Sequence, residues 1–126
     1  MTAQLYLIRG IPGSGKTTLA KKFLESGVVE YIVAADDFMV DEKGEYSFDP
    51  KELKECHREC LHSAYQALSA GINTAVHNTF TRVWEMQTYL DLGYPVTVIR
   101  CEGDYGNTHG VPDDVVSDML YRFEDY

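Results

Sequence analysis

The stretch Gly10-Ile11-Pro12-Gly13-Ser14-Gly15-Lys16-Thr17 decides how this chain reads. It fits G-x-x-x-x-G-K-[ST], a spacing that carries meaning only between a strand and a helix. Both neighbours are present. The apolar run QLYLIR, residues 4 to 9, precedes the loop as a buried parallel strand would, and from about Lys16 to Ser26 the pattern turns helical, with Leu19, Phe23 and Leu24 on one face. In such a loop the glycines let backbone N–H groups turn inward around phosphate oxygens, while the helix N-terminus presents its positive end. Gly10, Pro12, Gly13, Ser14, Gly15, Lys16, Thr17 and Thr18 are therefore the candidate nucleotide-binding residues. Lys16 would bridge the β and γ phosphates and the Thr17 hydroxyl would ligate Mg²⁺, so ATP with Mg²⁺ is the expected pair of ligands.

Outward from this loop, strands and helices alternate. A second apolar run, VEYIVAA, ends at Asp36, and residues 38 to 48 read as an exposed loop or small hairpin. Asp49-Pro50-Lys51-Glu52 then opens a helix by capping-box logic, followed by Leu53, Cys56, His57, Cys60, Leu61, Ala64 and Leu68 at helical spacing up to Gly71. A third strand over 72 to 77 precedes Asn78-Thr79-Phe80-Thr81, and a helix from about Arg82 to Leu92 follows. The fourth strand runs from Pro95 to Cys101. A polar loop joins it to a last helix opened by Pro112-Asp113-Asp114, with Val116, Met119, Leu120 and Phe123 inward. Such alternation predicts βαβ units with right-handed crossovers: a three-layer α/β/α sandwich around a four-stranded parallel sheet. Ligands of these sheets sit at the carboxyl ends of the strands, here the loops at 10–17, 36–39, 77–81 and 101–111.

The remaining arithmetic narrows the class. A chain of 126 residues with 44% apolar and 25% charged side chains is expected to form one globular domain over residues 1–126. No apolar run nears the roughly 20 residues that span a bilayer, and Arg9 interrupts the amino-terminal apolar stretch, so the expected location is cytoplasmic and off the membrane. The net charge of −9 argues against a broad, sequence-independent grip on duplex phosphates. That charge is uneven. Arg9, Lys16, Lys21 and Lys22 face only Glu25 among the first 25 residues, whereas Glu102, Asp104, Asp113, Asp114, Asp118, Glu124 and Asp125 outweigh Arg122 at the other end. Any anion site should lie near the amino end. Cys56, Cys60 and Cys101 have no CxxC spacing and indicate neither a disulfide framework nor a zinc site.

Asp36-Asp37 follow the second strand, so one carboxylate should face the phosphate cleft. A hydroxyl that accepts a phosphoryl group needs a base for its proton and a metal to absorb charge, and a carboxylate here would serve. The plainer reading is a solvated acidic turn. Cys56, His57 and Cys60 read as one apolar core face rather than a metal cluster, and Trp84 as a packing anchor rather than a base-stacking platform. His77 either touches substrate or hydrogen-bonds backbone; Asn78 and Thr79 either line an acceptor pocket or cap a turn.

Taken together, LYLIRGIPGSGKTTLAKKF, AADDF after strand two, FDP at the next helix, HNTFTRVWEM after strand three and NTHGVPDDVVSDM near the end resemble the small P-loop kinases, an AAA-type ATP-binding family related to the kinase domain of bacteriophage polynucleotide kinase. Phage and bacterial ATP-binding proteins and a ubiquitin-ligase-binding human group share this order of motifs. The resemblance implies a kinase-like P-loop fold and transfer of the γ-phosphate of ATP to a hydroxyl, with the 5′ end of single-stranded nucleic acid as acceptor. It also implies Lys16 and Thr17 as the phosphate and Mg²⁺ residues and Asp36 as general base; Asp37, His77, Asn78, Thr79 and Arg82 are candidate acceptor-side residues from their places at the strand ends alone. Departures are visible. Met39 stands where the polynucleotide kinases hold an arginine, His77-Asn78-Thr79 lacks the acid of the D-T-N pattern, and Tyr105-Gly106 replace lid arginines, leaving Arg82 and Arg100 as the nearby cations, with exposed surface the plainer reading of both. A kinase of a nucleoside or other small molecule, and a nucleotide-binding module with little turnover, remain the alternatives.

Overall fold

Alternation between apolar strands and amphipathic helices is what the computed structural model shows, and it describes residues 2–11, 14–38, 43, 50–80 and 82–101. Strand β1 (Leu5–Arg9) leads through the glycine loop into α1 (Lys16–Glu25), then β2 (Tyr31–Val33) and a 3₁₀ turn over Ala35–Phe38. A second 3₁₀ turn, Pro50–Glu52, runs into α2 (Leu53–Ser69), followed by β3 (Thr74–Asn78), α3 (Val83–Leu90) and β4 (Val96–Arg100). All strand pairs are parallel and the order is β2-β3-β1-β4. Leu5 lies opposite both Thr74 and Val96, and Arg9 opposite both Asn78 and Arg100. The carboxyl ends of the three neighbouring strands are thereby level, and the loops leaving them open onto one edge.

Helices cover both sheet faces, which is why every residue of central β3 is buried, while edge strand β4 is only partly covered, with Thr97 and Arg100 exposed. On one face α1 packs through Ala20, Leu19 and Phe23 against Ile8, Ala75 and Val29, with Phe23 meeting Tyr6 edge-on at 5.4 Å between ring centroids. On the other, Leu5, Leu7, Val33 and Val76 meet Cys60, Ala64 and Leu68 of α2 and Met86 and Tyr89 of α3. These are the three layers read from the sequence.

Local boundaries differ for physical reasons. The second strand stops at Val33 instead of running to Ala35, because Ala34 and Ala35 are buried as the start of a 3₁₀ turn rather than by strand pairing. Helix α2 begins at Leu53 after the 3₁₀ turn, with Glu52 as its N-cap and no side-chain cap bond; Asp49 lies outside the described residues. Leu24, in the last turn of α1 and one step round from Phe23, is 41% exposed, and Leu53 at the tip of α2 is exposed as well, so neither belongs to the core. The loop at 38–48, apart from Phe38 and Lys43, and the helix expected from Pro112 also lie outside the described residues.

Candidate active site

The glycine loop is anchored where it leaves β1. Cys101 N–H donates to the Arg9 carbonyl at 2.7 Å and Gly10 N–H to the Thr79 carbonyl at 3.2 Å, so β4 and the β3 loop hold it on either side. A methyl group on Gly10 would lie 2.2 Å from Ser14 Oγ and 2.8 Å from the Cys101 carbonyl oxygen. The loop then turns, with Ser14 N–H donating to the Ile11 carbonyl at 3.1 Å and Gly15 at φ 95°, left-handed, as the N-cap of α1. No side chain caps that helix start. Ser14 is only 2% exposed, and its hydroxyl has no hydrogen-bond partner among the described residues. A buried orphan hydroxyl beside an uncapped helix N-terminus is a site with donors to give to an anion, and phosphate oxygens fit it. Pro12 and Gly13 lie outside the described residues.

Lys16, the first residue of α1, is half-buried, and its Nζ donates to the Ile11 carbonyl at 3.1 Å. Burial holds its ammonium below the usual lysine range, while the Asp36 carboxylate attracts the proton and works against that shift. An ammonium has three donors, so the bond to Ile11 leaves capacity for phosphate oxygens. Thr17 and Thr18 are exposed on the first turn. The Thr17 hydroxyl and the Asp36 carboxylate are oxygen donors of the kind Mg²⁺ takes alongside water and phosphate.

The two carboxylates after β2 differ in what they do. Asp37 closes its own turn: its Oδ2 accepts from Ala34 N–H at 2.9 Å and its N–H donates to the Ala34 carbonyl at 3.1 Å. Asp36, half-buried, is the one whose charge acts on Lys16. Beneath this turn, Asn78 at the end of β3 is 6% exposed; its Oδ1 accepts from Ala35 N–H at 2.8 Å and its Nδ2 donates to Cys60 Sγ at 3.7 Å. His77, one residue earlier, is buried on the opposite side of the sheet, the side of Ala75. Burial pushes its imidazole below the usual histidine range; Asp37 and Asp36 oppose the shift, and Lys16 and Lys21 add to it. Thr79 is half-buried, and Arg82 is half-buried as the N-cap of α3. The structure thus places Lys16 within electrostatic reach of Asp36, and His77 within reach of Lys16, Asp36 and Asp37.

Other expectations fare differently. Trp84 does not anchor packing: it is 71% exposed, because α3 turns Met86 and Tyr89, not Trp84, toward the core. Cys56 and Cys60 are buried in the core on α2, and burial raises both thiols, Cys60 to about 11. Arg100 ends β4 exposed. Met39 and residues 102–111 lie outside the described residues.

Sequence reasoning missed Arg9. Its guanidinium is 1% exposed and donates from Nε and Nη2 to the Phe80 carbonyl at 3.0 and 2.7 Å, holding the β3 loop where Phe80 adopts φ 46°. The available signal was a cation closing an apolar strand right before the glycine loop.

Comparison with known proteins agrees with this geometry. Human NEDD4-binding protein 2 is 31% identical over 134 residues, covering 95% of this chain, which spans only 8% of that relative's length. A chain of the Pnkp1/Rnl/Hen1 RNA repair complex superposes with a TM-score of 0.76 at 16% identity, over 97% of this chain and 44% of its own. Mycobacterium tuberculosis APS kinase CysC in complex with AMPPNP and APS superposes with a TM-score of 0.60 at 19% identity, over 95% of this chain and 72% of its own. Among the described residues no helix is long and apolar enough to cross a membrane. The sheet, its covering helices and the glycine loop make a P-loop kinase-like fold, and since residues 5–105 match the family described as an AAA domain, the chain belongs to that family.

Proposed function

We propose that this chain is an ATP-dependent phosphotransferase whose acceptor is a polynucleotide 5′-hydroxyl. The observation that carries the proposal is the pairing of a phosphate loop, bearing the half-buried Lys16, with a separate carboxylate, Asp36, whose charge acts on that lysine from the turn after β2. A nucleotide-binding module needs the first; phosphoryl transfer also needs the second. Lys16, the Ser14 hydroxyl and the backbone of the loop hold the phosphates. Asp36 takes the proton of the acceptor hydroxyl as its oxygen bonds to the γ phosphorus and the bond to the ADP oxygen breaks. Mg²⁺, when bound, offsets phosphate charge, with Thr17 as its protein ligand.

The polynucleotide acceptor is supported by the AADDF and NTFTRVWEM motifs and by the likeness to a chain of an RNA repair complex. Met39, where an arginine would grip the acceptor's phosphate, favours a second reading: a kinase of a nucleoside or other small molecule, in line with the likeness to an APS kinase. Incubation with γ-labelled ATP and parallel panels of 5′-hydroxyl DNA, 5′-hydroxyl RNA and nucleosides separates them. Label on the oligonucleotides supports the first reading and label on nucleosides alone the second. ATP binding without label on any acceptor would leave a binding module and defeat both.

A further inference from the structure

We propose that Asn78 is a positioning residue that fixes the Asp36 carboxylate by clamping the backbone of its turn; this rests on the phosphotransferase reading, in which Asp36 is the base. Asn78 closes β3, the strand next to β2, and its side chain points to the α2 side of the sheet. There it spans three elements. Its Oδ1 accepts from the N–H of Ala35, the residue before Asp36, at 2.8 Å, and its Nδ2 donates to Cys60 Sγ of α2 at 3.7 Å. Because a backbone N–H can only donate, the first contact fixes which end of the amide faces the turn. Asp37 completes the turn from the other side by accepting from Ala34 N–H.

The arrangement matters because the turn has no ladder to hold it. β2 ends at Val33, so the N–H groups of Ala34 and Ala35 are met by the side chains of Asp37 and Asn78 instead. An acceptor lost beneath Ala35 would leave a buried donor unsatisfied, and the turn would shift to find another. Asp36 would move with it. Displacements near 1 Å at a reacting group can cost roughly a hundredfold in rate while leaving the binding of a remote phosphate loop intact. With both ends of its amide bonded and only 6% of its surface exposed, Asn78 acts through the turn and not on the acceptor.

The test compares Asn78→Ala and Asn78→Asp with wild type, by amide hydrogen exchange at Ala35 and by steady-state transfer to the acceptor that wild type labels. In Asn78→Ala the Ala35 amide should lose protection and kcat should fall about tenfold or more, with ATP affinity and acceptor KM within about twofold of wild type. Asn78→Asp keeps an acceptor at the same place and should restore both the protection and most of kcat. An Asn78→Ala rate equal to wild type overturns the proposal, as does a rise in acceptor KM at unchanged kcat, which would make Asn78 a substrate contact. Should Asn78→Ala fail to fold, Asn78→Asp decides alone: an exposed Ala35 amide or a rate as low as a tenth of wild type overturns it. Wild type that labels no acceptor defeats the phosphotransferase reading itself, a result distinct from active wild type with an unaffected variant.

Discussion

At Gly10 there is no room for one more carbon. A Cβ there would meet the Ser14 hydroxyl, which can rotate away, and the Cys101 carbonyl oxygen, which is backbone and cannot. Gly10→Ala should therefore shift the loop, lowering stability by about 1–3 kcal/mol and weakening ATP binding more than a surface change would. Parallel denaturation and calorimetry would show it, and a variant with native ATP affinity would mean the loop tolerates the shift. Lys16→Ala removes a charge-assisted donor without touching the core; ATP affinity should fall by about 2 kcal/mol, near thirtyfold, in calorimetry of folded protein. Asp36→Asn and Asp37→Asn separate the neighbouring acids. The first should reduce transfer by roughly 10²-fold at similar ATP affinity, because an amide cannot take the proton. The second should matter less, since the Asp37 carboxylate accepts from Ala34 N–H and an amide oxygen can still do so. If Asp37→Asn proves the more damaging to transfer, the base is the wrong carboxylate.

At the scale of elements, α3 shows what sequence pattern can and cannot settle. Trp84 and Met86 sit two residues apart, on opposite sides of the helix, and only Met86 is buried. Met86→Ala should cost about 2–5 kcal/mol and Trp84→Ala no more than about 0.5 kcal/mol, read by urea denaturation. A large loss at Trp84 would mean that something covers it in solution. The size of a tryptophan argued for burial, but its place on the helix, opposite Met86, leaves it 71% exposed. The strands were legible because a parallel sheet covered on both faces demands continuous apolar runs, and the glycine loop was legible because its chemistry is local. The end of β2 was not, since Ala34 and Ala35 are as apolar as the strand they follow. Nor were the contacts that shape the site. Asn78 meets Ala35 from 43 residues away and Arg9 meets Phe80 from 71, distances at which no spacing rule operates.

Across the whole molecule, the electrostatic state of two imidazoles, one buried and one half-buried, links the site to the stability of the fold. His57 on α2 and His77 on β3 are both held below the ordinary histidine value of 6.5 by burial, with Asp36 opposing the shift at each and Glu85 also opposing it at His57. Above that pH both rings are neutral folded and unfolded, so neither costs stability. As pH falls through 6.5, the unfolded chain takes up protons that the folded chain refuses, and the balance moves toward unfolding until the depressed folded values are reached. The denaturation midpoint of wild type should therefore drop between pH 7 and pH 5. His57→Gln and His77→Gln each remove one such group, so each variant should lose less between those two pH values than wild type does, whatever its stability at pH 7. Comparing the pH-induced differences, not the stabilities themselves, separates proton linkage from packing. Equal losses in wild type and both variants would place the acid sensitivity elsewhere, in carboxylates rather than in these two rings.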